Sequence, residues 1–190
     1  SLGTYSDLLS CSFVAIVELI SLVVYIYSSF YMSEEKNLSR FYSLLCLFNA
    51  SVLWLIISPN MFQMLIAWEI MGVASYLLIG YWYNKKSVSE NSKRVFLINI
   101  LGDISLFISF ALISFVICFA IKSTLFATVP FSNLNYIATT LLSVLDYRFY
   151  RLICFLLLFS AFVKSAQFPI NSWIINAMVA PTPISALIHS

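Results

Sequence analysis

The sequence predicts an all-α protein, a bundle of helices that cross a membrane. Of the 190 residues, 62% are hydrophobic and only 9% are charged, whereas about a quarter of the residues are charged in an average soluble domain. The apolar residues also form runs of the length that a bilayer span needs, which is about 20 residues. The net charge of +2 is spread along the chain, so the sequence has no basic patch of the kind that binds nucleic acid.

Five apolar stretches qualify as spans, and they cover residues 8–32, 41–57, 61–83, 95–121 and 150–168. The second stretch ends at Ser58-Pro59-Asn60, a typical turn sequence. Residues 123–146 are interpreted as a loop, and residues 183–190 are typical of the beginning of a further helix. No soluble segment interrupts this series, so residues 1–190 are predicted to form a single transmembrane domain.

The basic residues are unevenly divided between the predicted connections. The loops at 33–40 and 84–94 hold six lysines and arginines, and the other side holds three. Because positive loops stay on the cytoplasmic side, or the matrix side in mitochondria, the two short loops are predicted to lie there. The four cysteines are isolated within apolar runs and lack metal-ligand spacing.

Four titratable residues lie inside the predicted spans: Glu18, Glu69, Asp103 and Lys164. The helical rise places Glu69 about 14 Å and Lys164 about 20 Å from one face, and Asp103 about 14 Å from the opposite face. The hydrocarbon core is about 30 Å thick, so these three residues are predicted near its middle. Glu18 has no evident partner at matching depth and is expected near the edge of its span.

Ionisable groups at this depth are costly, usually pair with one another and often mark ion paths. An acid and a base at the same depth are natural partners, so Lys164 is expected to pair with a carboxylate. A lysine whose protonation changes when its partner moves would serve as a proton relay. The alternative that such a pair only fixes helix packing stays open.

Prolines predict where the last helices are interrupted. Pro169 lies five residues after Lys164, and proline clashes with the carbonyl four residues before it. The helix is therefore expected to kink or stop near 167–168. Backbone freed at this depth needs protein or water around it, which predicts a polar pocket beside Lys164 lined by Ser165 and Gln167.

A second irregular stretch is predicted between Pro181 and Pro183. It precedes the segment ISALIHS, which places His189 in the first turns of a new helix. An unperturbed imidazole exchanges its proton near neutral pH, so His189 is a candidate proton carrier.

Three segments together resemble subunit 5 of NADH dehydrogenase, an antiporter-like membrane subunit of respiratory complex I. They are MFQMLIAWEIMGVASYLLIGYWY (61–83), NILGD (99–103) and KSAQFPINSWIINAMVAPTPISALIHS (164–190). The resemblance extends over residues 25–190. It implies an antiporter-like half-bundle with one discontinuous helix. The large subunit of the multi-subunit cation/proton antiporters is a related family that shares these motifs.

The resemblance implies roles for several residues. Glu69 and Lys164 would form the charge pair that gates proton movement, and His189 would pass the proton onward. NADH, FMN, the iron–sulfur clusters and ubiquinone would bind to other subunits, leaving this chain without a cofactor or metal. The expected partners are the other membrane-arm subunits and membrane lipids. The expected location is the mitochondrial inner membrane, with the short basic loops on the matrix side.

Two departures from the family pattern bear on function. Ile100 stands where the family usually has an arginine before the Gly-Asp pair, which leaves Asp103 without its usual local partner. The chain also covers only part of a two-half bundle, so a separate polypeptide is expected to carry the rest. Two other functions remain open: a subunit of a cation/proton antiporter, and a scaffold fragment that moves no protons.

Overall fold

The computed structural model describes residues 3–121, 138–139, 143 and 146–189, with side chains described throughout these ranges except at 118–121 and 189. The all-α prediction is confirmed, since the described chain is organised as seven helices. They are α1 (Leu8–Tyr31), α2 (Leu38–Ile56), α3 (Met61–Ile79), α4 (Lys86–Ile121), α5 (Tyr147–Lys164), α6 (Ser172–Ala177) and α7 (Thr182–His189). The expected loop at 123–146 lies mostly outside the described residues.

Among the described residues, four helices are long and apolar enough to cross a membrane: α1, α2, α3 and the Lys86–Ile117 part of α4. The fifth predicted span corresponds to α5, an 18-residue helix that packs along α4. Helix α2 packs on α3 and α3 on α4, while α6 is held against α4 and α7 against α1. The chain therefore builds a row of long helices, with the broken segment after α5 folded back on it.

Helix α4 begins at Lys86, so the prediction of a basic loop at 84–94 was wrong for most of its length. The buried side chains Val88, Ser92 and Val95 recur at helical spacing and form one inward face. The charged residues occupy the other face, where Lys86 and Glu90 lie 4.0 Å apart. The charged residues of this segment suggested a loop. The spacing of its buried residues is instead that of the first turns of an amphipathic helix.

Helix α5 ends at Lys164, three residues before the predicted break at 167–168. Gln167 N–H donates to the carbonyl of Phe162 and Ala166 N–H to that of Val163, while Ala166 adopts a left-handed φ of 49°. These are the bonds and the conformation of a Schellman motif, which commonly has a proline shortly after it. Pro169 therefore follows a helix that has already ended, so the sequence predicted the interruption but placed it three residues too late.

The backbone around this break is satisfied by the protein. Trp173 is buried, and its indole N–H donates to the carbonyl of Val163 over 2.8 Å. The second proline pair lies at the start of α7: Pro181 accepts backbone hydrogen bonds from the first turn, and Pro183 occupies that turn, where a missing N–H costs nothing. The irregular stretch predicted between these prolines is thus already helical from Thr182.

Two apolar clusters lie on either side of the middle of α4. The larger one joins α1–α4, α6 and α7, and its buried members include Phe41, Leu45, Leu78, Val95, Trp173 and Ile184. The smaller one contains Met61, Ile113, Val116 and Ile153. Asp103 lies between Val95 and Ile113 along α4, so its carboxylate is flanked by apolar packing in both directions.

We predict that Ala166→Gly raises the stability of the protein by about 1 kcal/mol, because glycine adopts the left-handed conformation without the steric cost that alanine bears. The measurement is the apparent melting temperature of the purified protein in detergent. The matched control is Ala161→Gly within α5, where glycine should lower stability by about 0.5–1 kcal/mol. A decrease for both variants would show that residue 166 is not left-handed.

Candidate functional site

The centre of the bundle holds a buried ion pair. Lys164 Nζ lies 3.3 Å from Asp103 Oδ1, and the two side chains are only 16% and 9% exposed. Asp103 lies on the buried face of α4, and Lys164 is the last residue of α5. The ammonium is therefore next to the carbonyl end of its own helix, where the helix dipole favours a positive charge. The pair joins two antiparallel helices, and it places the two charges at the same level, as the sequence predicted.

Trp68 contacts both members of the ion pair, and it was not among the candidate residues predicted from the sequence. Its indole N–H donates to Asp103 Oδ1 over 2.7 Å, and its ring lies 5.4 Å from Lys164 Nζ. A hydrogen bond to a carboxylate is stronger than one between neutral groups, and an aromatic face attracts an ammonium. The available signal was the position of Trp68 directly before Glu69, in the same motif.

Gly72 leaves the space that the lysine occupies. A Cβ atom at this position would lie 3.3 Å from Lys164 Nζ and 3.8 Å from Asp103 Oδ2. Gly72 is one helical turn after Trp68, so both residues present the same face of α3 to the ion pair. Gly102 brings α4 and α5 together in a similar way, since a Cβ there would lie 2.9 Å from Val163 Cβ. Small residues thus allow the close helix approach that a short charge pair requires.

The structure differs from the expectation that Glu69 is the direct partner of Lys164. Among the described residues, the ion pairs within 4.0 Å are Lys164–Asp103 and Lys86–Glu90. Glu69 follows Trp68 and therefore points about 100° away around α3. It is exposed in this chain, together with Phe62 and Val73 on the same face. Glu69 still interacts electrostatically with both members of the pair.

The two polar residues predicted to line a pocket beside Lys164 lie on the surface of the chain instead. Ser165 and Gln167 are both exposed, and Ser165 Oγ donates to the carbonyl of Ala161 over 2.7 Å. The Schellman turn reverses the chain direction immediately after Lys164, which carries these side chains outward. The carbonyl of Val163 at the end of α5 accepts a hydrogen bond from Trp173, not from Ser165 or Gln167.

The remaining candidate, His189, is the last residue of α7. Its side chain is outside the described part of the structure, and its helix packs mainly against α1. Over the described residues, no group of three or more His, Cys, Asp or Glu side chains could hold a metal ion.

Comparison with known proteins identifies the family. A family model described as "NADH:quinone oxidoreductase/Mrp antiporter, TM" matches residues 58–190. A second model, for the N-terminus of chain 5 of complex I, matches residues 1–42. The chain belongs to the complex I and Mrp antiporter family. The motifs that suggested complex I subunit 5 in the sequence are thereby confirmed as family features.

Individual relatives of this antiporter family agree with the family models. The chain is 37% identical to NAD(P)H-quinone oxidoreductase chain 5 of Synechocystis, over 100% of this chain and 27% of the relative. It is 36% identical to the chloroplastic subunit 5 of Ranunculus macranthus, over 99% of this chain and 24% of the relative. A solved structure of the Mrp complex from Dietzia superposes with a TM-score of 0.80 at 27% identity, covering 100% of this chain and 21% of that chain. The chain thus spans about a quarter of the length of these relatives.

Removing one half of the ion pair should cost more stability than removing both. A buried charge left without its partner is destabilising by roughly 3–5 kcal/mol, whereas an uncharged replacement of the whole pair is often tolerated. We therefore predict that Asp103→Asn and Lys164→Met each lower the melting temperature in detergent, and that the double variant recovers most of the loss. Additive losses would contradict a direct interaction.

Trp68→Phe tests the third member of the site separately. Phenylalanine retains an aromatic face near Lys164 but removes the donor to Asp103 Oδ1, which should cost about 1–3 kcal/mol. Trp54→Phe serves as the control, because Trp54 lies on α2, away from the ion pair. Equal melting temperatures for the wild type and Trp68→Phe would contradict the hydrogen bond.

Proposed function

We propose that the chain forms part of a proton-translocating membrane subunit of an NADH:quinone oxidoreductase, with Lys164 as the residue that takes up and releases the proton. One observation carries this proposal: the ammonium of Lys164 is held by Asp103 between two apolar clusters, in the middle of a bundle of membrane-spanning helices. A paired charge at this depth is expensive to build for packing alone.

The physical basis of proton release is the loss of the partner. Burial penalises an ammonium, and a nearby carboxylate offsets that penalty. A movement that lengthens the distance between Lys164 Nζ and Asp103 Oδ1 therefore favours the neutral amine and proton release. A movement that restores the contact favours proton uptake. The end of α5 at Lys164 supports such a movement, because the ammonium stands at the edge of a helix and not in its interior.

Glu69 and His189 complete the proposed path. Glu69 lies on the outward face of α3, within electrostatic range of Lys164 and Asp103, and in this proposal it delivers the proton or competes with Asp103 for the ammonium. His189 then takes the proton from Lys164 toward the rest of the subunit. In this proposal Asp103 acts as the holding partner of the lysine.

The energy for transport would come from outside this chain. In the proposed complex, electrons from NADH pass through FMN and iron–sulfur clusters to ubiquinone on other subunits, and the membrane arm converts the reaction into movement at Lys164. The partners are other membrane-arm subunits, membrane lipids and a polypeptide that supplies the remaining helices of the bundle. The names of the chloroplast and cyanobacterial relatives support membership in such a quinone oxidoreductase.

Location in the mitochondrial inner membrane, with residues 33–40 and 84–94 on the matrix side, is part of this proposal. The relatives named above come from a cyanobacterium and a chloroplast, so they support an energy-transducing membrane without specifying mitochondria. Organelle fractionation, followed by protease access to the connection around Glu34, tests both the compartment and the sidedness.

A second candidate function is cation/proton exchange without NADH, and the similarity to the Mrp complex structure favours it. The two functions predict different companions. A subunit of a quinone oxidoreductase should co-purify with flavin and iron–sulfur proteins. An antiporter subunit should lack them and should exchange sodium for protons in vesicles supplied with a sodium gradient alone.

Lys164→Met should abolish proton translocation while the complex still assembles. We expect the ratio of protons moved to electrons transferred, measured in sealed membrane vesicles, to fall at least about tenfold, because the proton-transfer group itself is removed. The control is Lys86→Met, whose side chain is 92% exposed at the start of α4. Assembly is monitored on native gels, with Lys164→Met/Asp103→Asn as a second variant in case the unpaired carboxylate destabilises the complex. An unchanged ratio in an assembled complex would support the scaffold function instead.

A further inference from the structure

Glu18 lies in the middle of α1, not near the edge of the span as the sequence suggested. It is ten residues after Leu8 and thirteen before Tyr31, which places it about 15 Å and 20 Å from the two ends of the helix. The hydrocarbon core of a bilayer is about 30 Å thick. A fourth titratable group therefore lies at mid-membrane depth, and it belongs to a helix that does not contribute to the Lys164 site.

A short chain of hydrogen bonds points at the Glu18 carboxyl. Ser21 Oγ donates to Asn49 Oδ1 over 2.8 Å, and Asn49 Nδ2 donates to Glu18 Oε1 over 3.4 Å. Because Asn49 Oδ1 accepts the hydrogen bond from Ser21, the amide NH2 group of Asn49 is directed toward the Glu18 carboxyl. Glu18 is thus a hydrogen-bond acceptor at the end of this chain.

The Glu18 carboxyl nevertheless faces outward. Its side chain is exposed. Leu22, one turn further along the same face, is 60% exposed, and the neighbouring Leu19 is 66% exposed. Helix α1 packs mainly against α2 and α7 in the described structure. A carboxylate with one long hydrogen bond would be costly if this surface met hydrocarbon, because polar groups at mid-bilayer need partners.

We propose that the outward face of α1 around Glu18 is a docking surface for a membrane-spanning helix of another polypeptide, one that presents a lysine or arginine at mid-membrane depth. Charge complementarity selects this partner, since an ammonium or guanidinium supplies the donors that Asn49 leaves unprovided. The exposed Leu19 and Leu22 give the same partner an apolar surface beside the charge. A second copy of this chain docking through the same face would bring two Glu18 carboxylates together, which like charge disfavours.

A hydrophobic carbodiimide tests whether Glu18 is covered. The carboxyl adds across one C=N bond of the reagent, with its proton going to nitrogen, and an acyl shift from oxygen to nitrogen leaves a stable N-acylurea. In native membranes an ion-paired, covered Glu18 should react slowly, and dissociation of the complex in strong detergent should raise its labelling several-fold, as read by mass spectrometry of the α1 peptide. Glu34, which is exposed in a loop, reports general access of the reagent. Equally fast labelling of Glu18 in native membranes and in detergent would overturn the proposal.

A photo-cross-linking residue at Leu22, one turn from Glu18, identifies what covers the surface. The expected product joins α1 to a membrane-spanning peptide of another protein that carries a lysine or arginine near mid-depth. Glu18→Gln should reduce the yield several-fold, whereas the loop control Glu34→Gln should leave it unchanged. Cross-links to lipid, to a segment of this same chain, or to a peptide without a basic residue at that depth would each overturn the proposal.

Discussion

The ion pair between Lys164 and Asp103 is the interaction on which the centre of this bundle depends. An ammonium in the middle of a membrane is tolerated only when a carboxylate and hydrogen-bond partners surround it. The surrounding residues meet this requirement one by one: Trp68 supplies a donor to the carboxylate and an aromatic face to the ammonium, and Gly72 leaves space for the lysine. Apolar clusters on both sides keep the pair away from the membrane surfaces.

The end of α5 follows from the same constraint. If the helix continued past Lys164, the residues after it would run on through the apolar interior. The chain turns there by a Schellman motif with Ala166 in the left-handed region, and Trp173 returns to satisfy the carbonyl of Val163. The lysine therefore sits at a helix terminus where the carbonyls of Ala161, Phe162 and Val163 all accept hydrogen bonds from the protein. The end of α5 thus fixes the position of Lys164 along the bundle, and no further turn of α5 follows it.

Sequence patterns predicted the depth of the charges but not their pairing. Depth follows from counting residues along a helix at a fixed rise, so Asp103 and Lys164 could be placed at one level before the structure was known. Partner choice depends on how each helix is rotated about its axis, and adjacent residues such as Trp68 and Glu69 point in directions about 100° apart. The sequence motif indicated Glu69 as the partner of Lys164. The rotation of α3 instead turns the indole of Trp68 toward the ion pair.

The same reasoning explains which boundaries were predictable. The break near Pro169 was expected because proline cannot continue a helix, and the all-α architecture followed from long apolar runs. The start of α4 was missed because its first turns are rich in serine and basic residues. There the decisive signal is the spacing of Val88, Ser92 and Val95, which composition does not reveal. Helix ends set by hydrogen-bonded turns, such as the one at Ala166, depend on backbone geometry that the residue types alone do not specify.

Charge balance at mid-depth shows that this bundle is electrically incomplete. Among the described side chains, three carboxyls lie near the membrane centre, those of Glu18, Glu69 and Asp103, and Lys164 is the one basic group that meets them there. Lys164 is engaged by Asp103, and both glutamates face outward on different helices. Each of these two glutamates would need a partner beyond the described residues wherever its surface met hydrocarbon, because an unpaired carboxylate is costly there. Glu69 lies within electrostatic range of the ion pair, whereas Glu18 is remote from it and accepts a hydrogen bond from Asn49.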